Sequence, residues 1–180
     1  MRNMRSLPLY LIAPLALVTA AAALAQSNEP VSALKGHNSN APIDVQSDRI
    51  EVQDRADRAI FVGNVHVKQD ELTLDTARLT VAYTSTGSVQ INRLDASGGV
   101  TVRSPSETAR GTFGIYDLDR KLITLVGNVV LQREGSQING QRLTIDLDSG
   151  RAVIDGGPAG VGQSGGRVTG HFTVPQKKGG

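Results

Sequence analysis

The chain has 180 residues, a formal net charge of +2, 39% hydrophobic and 3% aromatic residues, and neither cysteine nor tryptophan. Without cysteine it has no disulfide, no thiolate metal site and no cysteine nucleophile. No basic stripe interleaved with aromatics runs through it, so nucleic acid is set aside as a partner.

In chain order, residues 1–25 read as a secretory signal. Arg2 and Arg5 make a positive start, 7–18 is an apolar run broken by Pro8 and Pro14, and Ala23-Leu24-Ala25 is a small-x-small cleavage site before Gln26. No cysteine stands at the cut, which excludes lipoprotein processing. Cleavage after Ala25 leaves 180 − 25 = 155 residues, one domain's worth, and sends the protein out of the cytoplasm. Residues 26–40 are polar, with Pro30 and Gly36, and read as a flexible lead-in. The ordered part begins at Ala41. Pro42 lacks an N–H and suits the first residue of an edge strand. Ile43 and Val45 then face one way, Asp44 and Gln46 the other. Ile50 and Val52 lie on the next strand, and 54–57 is a charged turn.

Residues 61–81, FVGNVHVKQDELTLDTARLTV, recur at 125–145 as LVGNVVLQREGSQINGQRLTI. The offset holds at 64 from Gly63/Gly127 and Asn64/Asn128 to Arg78/Arg142 and Leu79/Leu143, a repeat that decides the architecture. Fainter copies surround Gly98-Gly99 and Gly156-Gly157. Aligning Asn64, Gly99, Asn128 and Gly157 gives steps of 35, 29 and 29, hence four rows of short strands. Within the unit, apolar residues alternate with polar ones. Phe61, Val65 and Val67 share one parity and His66 and Lys68 the other, the period of a half-buried strand. Leu72 and Leu74, then Leu79, Val81 and Tyr83, continue it. The second copy supplies Leu125, Val129, Leu131, Leu143 and Ile145. Gly-Asn inside such a run marks a bulge or corner. Turn residues at 84–88, 104–106, 119–121 and 148–150 separate the strands. The 156–170 stretch carries seven glycines and reads as a loosening end; 168–174 adds one more strand before the tail. No helix of ordinary length survives, and the class is all-β.

Residues with chemistry are scattered. His37, His66 and His171 show no metal-ligand spacing. Asp117/Asp119 and Asp146/Asp148 sit beside turns near Lys or Arg, a solvated face rather than a calcium site or an acid–base pair. No nucleophile elbow or phosphate loop is present. Arg78 and Arg142, equivalent in the repeat, either meet phosphate at a groove rim or pair with Asp75 and Asp146; the pairing is favoured. The expectation is no enzyme, no cofactor and no metal. A polysaccharide-active β-solenoid would need acidic pairs with aromatic platforms, and aromatics are few. A structural or adhesive exported repeat protein without cargo remains the alternative.

The patterns Pro42-Ile43-x-Val45-x-Ser47-Asp48, Phe61-x-Gly63-Asn64-Val65-x-Val67 and Leu125-x-Gly127-Asn128-Val129 resemble the OstA-like family of lipopolysaccharide transport proteins. The resemblance covers 41–157, leaving 158–180 as a Gly-rich strand and tail. The family includes the N-terminal domain of the outer-membrane protein LptD and the membrane-anchored LptC; a cleavable signal favours its free periplasmic carrier over the anchored relative. The resemblance implies a twisted, partly open antiparallel β-jellyroll, V-shaped and stacked by repetition, with lipid A acyl chains between its sheet faces. On that reading the groove is lined by Ile43, Val45, Phe61, Val65, Val67, Leu72, Leu74, Leu79, Val81, Tyr83, Leu125, Val129, Leu131, Leu143 and Ile145. The implied partners are lipopolysaccharide, further copies joined head to tail, and the inner-membrane LptC-like and outer-membrane LptD-like β-jellyroll domains. The expected docking edges are 43–47 and either 152–154 or 168–174.

Overall fold

A computed structural model of the chain describes Leu34 and residues 37–85, 87–157 and 166–173. The leader and its cut after Ala25 lie outside the described residues, as does Val174. Among the described residues, ten strands form one antiparallel sheet. They are β1 Ile43–Gln46, β2 Arg49–Gln53, β3 Arg58–Gln69, β4 Leu72–Thr84, β5 Gln90–Arg103, β6 Glu107–Asp117, β7 Leu122–Arg133, β8 Ser136–Asp146, β9 Ala152–Asp155 and β10 Thr169–His171. The order is β1-β3-β4-β5-β6-β7-β8-β10, with β2 also on β3 and β9 also on β8. Several turns between neighbours use left-handed backbone, at Asp57, Asp70, Lys121 and Glu134 among them. Glu134 and Gly135, at φ 47° and 79°, make a two-residue link whose twist matches the strands it joins.

The repeated dipeptides are the corners of the fold. Gly63 and Asn64 have φ of 82° and 45°, and pairing skips from Val62↔Arg78 to Val65↔Thr76, so two residues face the single Ala77. Gly98 and Gly99 likewise face Thr112, and Gly127 and Asn128 face Gln141. Gly157, the last aligned position, has φ 78° and lies against Gln141. Two residues opposing one bend the longer strand. Because the bulges fall on one line across β3 to β8, the whole sheet folds along it. One arm then holds β1, 65–69, 72–76, 100–103, 107–110, 129–133, 136–140 and β10. The other holds β2, 58–62, 78–84, 90–97, 113–117, 122–126, 142–146 and β9. The fainter copy at Gly98-Gly99 is therefore a true member of the repeat, while Gly156-Gly157 shares with it only the positive φ of Gly157, just past β9.

The apolar parity of both arms meets in a single cluster, with Leu79, Leu125 and Leu143 at 0% exposure. Each such leucine contributes about 1.5–3 kcal/mol by leaving water. The sheet does not close into a barrel. Among the described residues, β1 and β2 pair only with β3, and β9 and β10 only with β8. The lead-in is packed at its described end: Leu34 is buried in the central cluster, and 37–40 forms a turn against Gln69. An apolar side chain and a buried amide hold a segment whose composition is that of a loop.

Candidate functional site

Of the fifteen groove candidates, ten lie buried in the cluster: Val65, Val67, Leu72, Leu74, Leu79, Val81, Leu125, Val129, Leu143 and Ile145. Ile43, Val45, Phe61 and Leu131 are half-buried against it. Tyr83 keeps the parity but stands outside the cluster, at the tip of its arm. Its N–H donates to the Asp57 carbonyl at 3.0 Å and its phenol meets the Asp54 carboxylate. Desolvation and the carboxylates of Asp54 and Asp57 raise the phenol's pKa. The middle rows add lining that the strong repeat does not contain: Leu94, Ala96, Val100 and Val102 on β5, Ala109 and Tyr116 on β6, and Ile123 on β7. The signal was present as Leu94-x-Ala96 and Val100-x-Val102 on either side of Gly98-Gly99. Leu34 and Leu147 complete the cluster; Leu147 continues the Leu143-x-Ile145 alternation just past the end of β8, and Leu34 lies in no strand pattern.

Few polar groups enter this interior, and most are hydrogen-bonded; the buried Ser39 hydroxyl has no hydrogen-bond partner among the described residues. Thr76 donates to the Ser97 carbonyl at 2.8 Å, beside the corner. Gln69, only 2% exposed, accepts from Tyr116 Oη at 3.0 Å and donates to the carbonyls of Ser39 and Ala41. Burial raises the Tyr116 pKa, which keeps the phenol neutral and a donor.

The opposite face is polar. Asp75 is held by His66 at 2.7 Å and by Arg103. Burial alone would raise its pKa, but those hydrogen bonds and the arginine charge outweigh it and leave the carboxyl below its usual range. Arg110, Gln132, Gln137 and Asn139 form a hydrogen-bonded row across β6, β7 and β8. The aspartates near turns act as caps. Asp117 accepts from the Arg120 N–H, and Asp146 from those of Asp148 and Ser149, which lowers its pKa. The expected pairs of Arg78 with Asp75 and Arg142 with Asp146 do not form, because both carboxylates are taken. Both arginines are exposed at the corner line, on the parity opposite Leu79 and Leu143, so neither stands at a groove rim. What the arrangement offers is a continuous aliphatic interior between two arms, closed to water and wrapped in a polar surface. It suits apolar chains.

A family model described as the LptA/(LptD N-terminal domain) LPS transport protein matches residues 44–151, the span from β1 through β8. An uncharacterized protein of Rhizobium meliloti (strain 1021) is 34% identical over 149 residues, covering 78% of this chain and 79% of its own length. Among solved structures, LptH, the LptA-homologous periplasmic component of the lipopolysaccharide transport device from Pseudomonas aeruginosa, superposes with a TM-score of 0.66 at 18% identity. The match covers 77% of this chain and 99% of that one, so the folds are alike across the whole of LptH.

Proposed function

The chain belongs to the LptA/LptD N-terminal-domain family of lipopolysaccharide transport proteins, and from that membership we propose that it is a non-enzymatic periplasmic carrier. It takes lipid A acyl chains between its two arms and conveys lipopolysaccharide from the inner towards the outer membrane. The observation that carries this reading is the division of parities. Along β1 and β3 to β8, and at Ala152 and Ile154 of β9, side chains of one parity join or pack against a shared aliphatic cluster, while most of their neighbours are more exposed. Transfer of acyl chains onto such a surface is worth roughly 25 cal/mol per Å² of apolar area. Export rests on the 1–25 leader and its cut after Ala25, and LptH is described as periplasmic.

The two unpaired edges differ. At one end stand β1 and β2, at the other β9 and β10. Unlike edges that add to one another make a heterologous contact that does not close, so copies join head to tail into an open filament. LptC-like and LptD-like domains dock on the same edges by strand addition. The test is recovery of the protein from the cell envelope without detergent, followed by mass spectrometry of bound lipid. Lipid A-bearing molecules should accompany the folded protein; a clean protein, folded and lipid-free, would move it to the cargo-free structural reading.

A further inference from the structure

The tips of the two arms are tied together by one side chain. Gln69 ends β3 at the tip of one arm, and Tyr116 stands next to the end of β6 at the tip of the other. Tyr116 Oη donates to Gln69 Oε1 at 3.0 Å in a buried contact between residues 47 apart in sequence. The same amide also holds the segment ahead of β1. Its Nε2 donates to the carbonyls of Ser39 and Ala41, both at 3.0 Å, and its Oε1 lies 3.1 Å from His37 Nε2. Leu34, 4% exposed, sits in the apolar cluster, and its carbonyl accepts from the N–H of the same His37 at 3.0 Å. A buried amide with its donors and acceptor engaged is costly to strand, so the contact specifies one closed arrangement.

The interior behind this junction is filled by the protein's own side chains. Leu79, Leu125 and Leu143 have no exposure at all, so an entering chain must part the arms or displace something already there. The tip contact spans the mouth, and Leu34, which belongs to no strand of the sheet, joins the apolar cluster from the segment that this contact holds.

We propose that Leu34 and residues 37–41 form a displaceable strap. It closes the mouth between the arm tips in the empty protein, with Leu34 in apolar space that an acyl chain takes on loading. The inference rests on the carrier reading above. Because strap and chain compete for one space, occupancy of one lowers that of the other. Removing the strap's grip therefore speeds loading and loosens the empty fold.

Leu34→Cys places a single thiol in an otherwise cysteine-free chain. Its reaction with a maleimide is followed in protein recovered from the envelope and stripped of lipid, before and after adding purified rough-type lipopolysaccharide. The reaction should be slow in the empty protein and about tenfold faster when loaded, the shift expected when a mostly closed population opens. In parallel, Leu34→Ala and His37→Ala alter the strap and leave every strand intact. Both should capture lipopolysaccharide faster than wild type and melt at a lower temperature. Lipopolysaccharide that binds while the thiol stays protected, or capture that is unchanged or slower in both alanine variants, overturns the strap and leaves the carrier standing. Failure of wild type and both variants to bind lipopolysaccharide at all overturns the two together.

Discussion

At Gly127 the left-handed backbone and the space around the residue act together. Its φ is 83°, and an added Cβ would stand 2.8 Å from Thr112 Oγ1, the residue that the corner folds against. Gly127→Ala should therefore lower stability by about 1–3 kcal/mol, read as an earlier midpoint in urea. Gly99 occupies the equivalent place to Asn128 in the repeat, and nothing lies within 4 Å of where its Cβ would point. Asn tolerates left-handed backbone better than other side chains. Gly99→Asn should change stability by less than about 1 kcal/mol, as for an ordinary surface exchange. Equal losses at both positions would mean that backbone conformation alone, rather than crowding at the corner, sets the cost. The Gly-Asn pairs were legible as corners because few other dipeptides hold two successive positive φ angles. The partners of Arg78 and Arg142 were not legible, since charge and proximity in sequence do not say which face of a bent strand a carboxylate occupies.

The strands were legible where the period of two ran unbroken, as in β3, β4, β7 and β8. It was harder to follow in β5 and β6, where glycines interrupt the alternation and small residues such as Ala96 and Ala109 stand at interior positions. Tyr83 shows the opposite error. Its parity is that of the lining, but the strand has already reached the arm's tip, where the turn at 54–57 claims its hydroxyl and its N–H. The structure also sorts the edges by arm. β2 and β9 belong to one arm and β1 and β10 to the other, so a head-to-tail joint sets β2 beside β9. Ile50 pairs with Phe61 and Ile154 with Leu143, which puts both on the interior parity. A Cys pair at Ile50 and Ile154 should give disulfide ladders between unlike ends that lengthen with concentration. Bonds between like ends only would mean a closed dimer and no filament.

For the molecule as a whole, repetition, the all-β class and the aliphatic interior were readable from 180 residues because each leaves a periodic mark. Whether that interior stands open or closed left no such mark. The closure depends on Gln69, Tyr116 and Leu34, which are far apart in sequence and meet only once the arms are folded onto each other. The central claim is that one parity of this sheet holds lipid and the other does not. The most direct measurement places a photo-crosslinking side chain at Val45 or Leu131, half-buried on the interior parity, and at His66 or Lys68 on the outer one. After irradiation in intact cells, with folding confirmed by circular dichroism, lipopolysaccharide should be joined to the protein from Val45 and Leu131 and not from His66 or Lys68. Equal labelling from both parities, or none from the interior positions, would contradict the account.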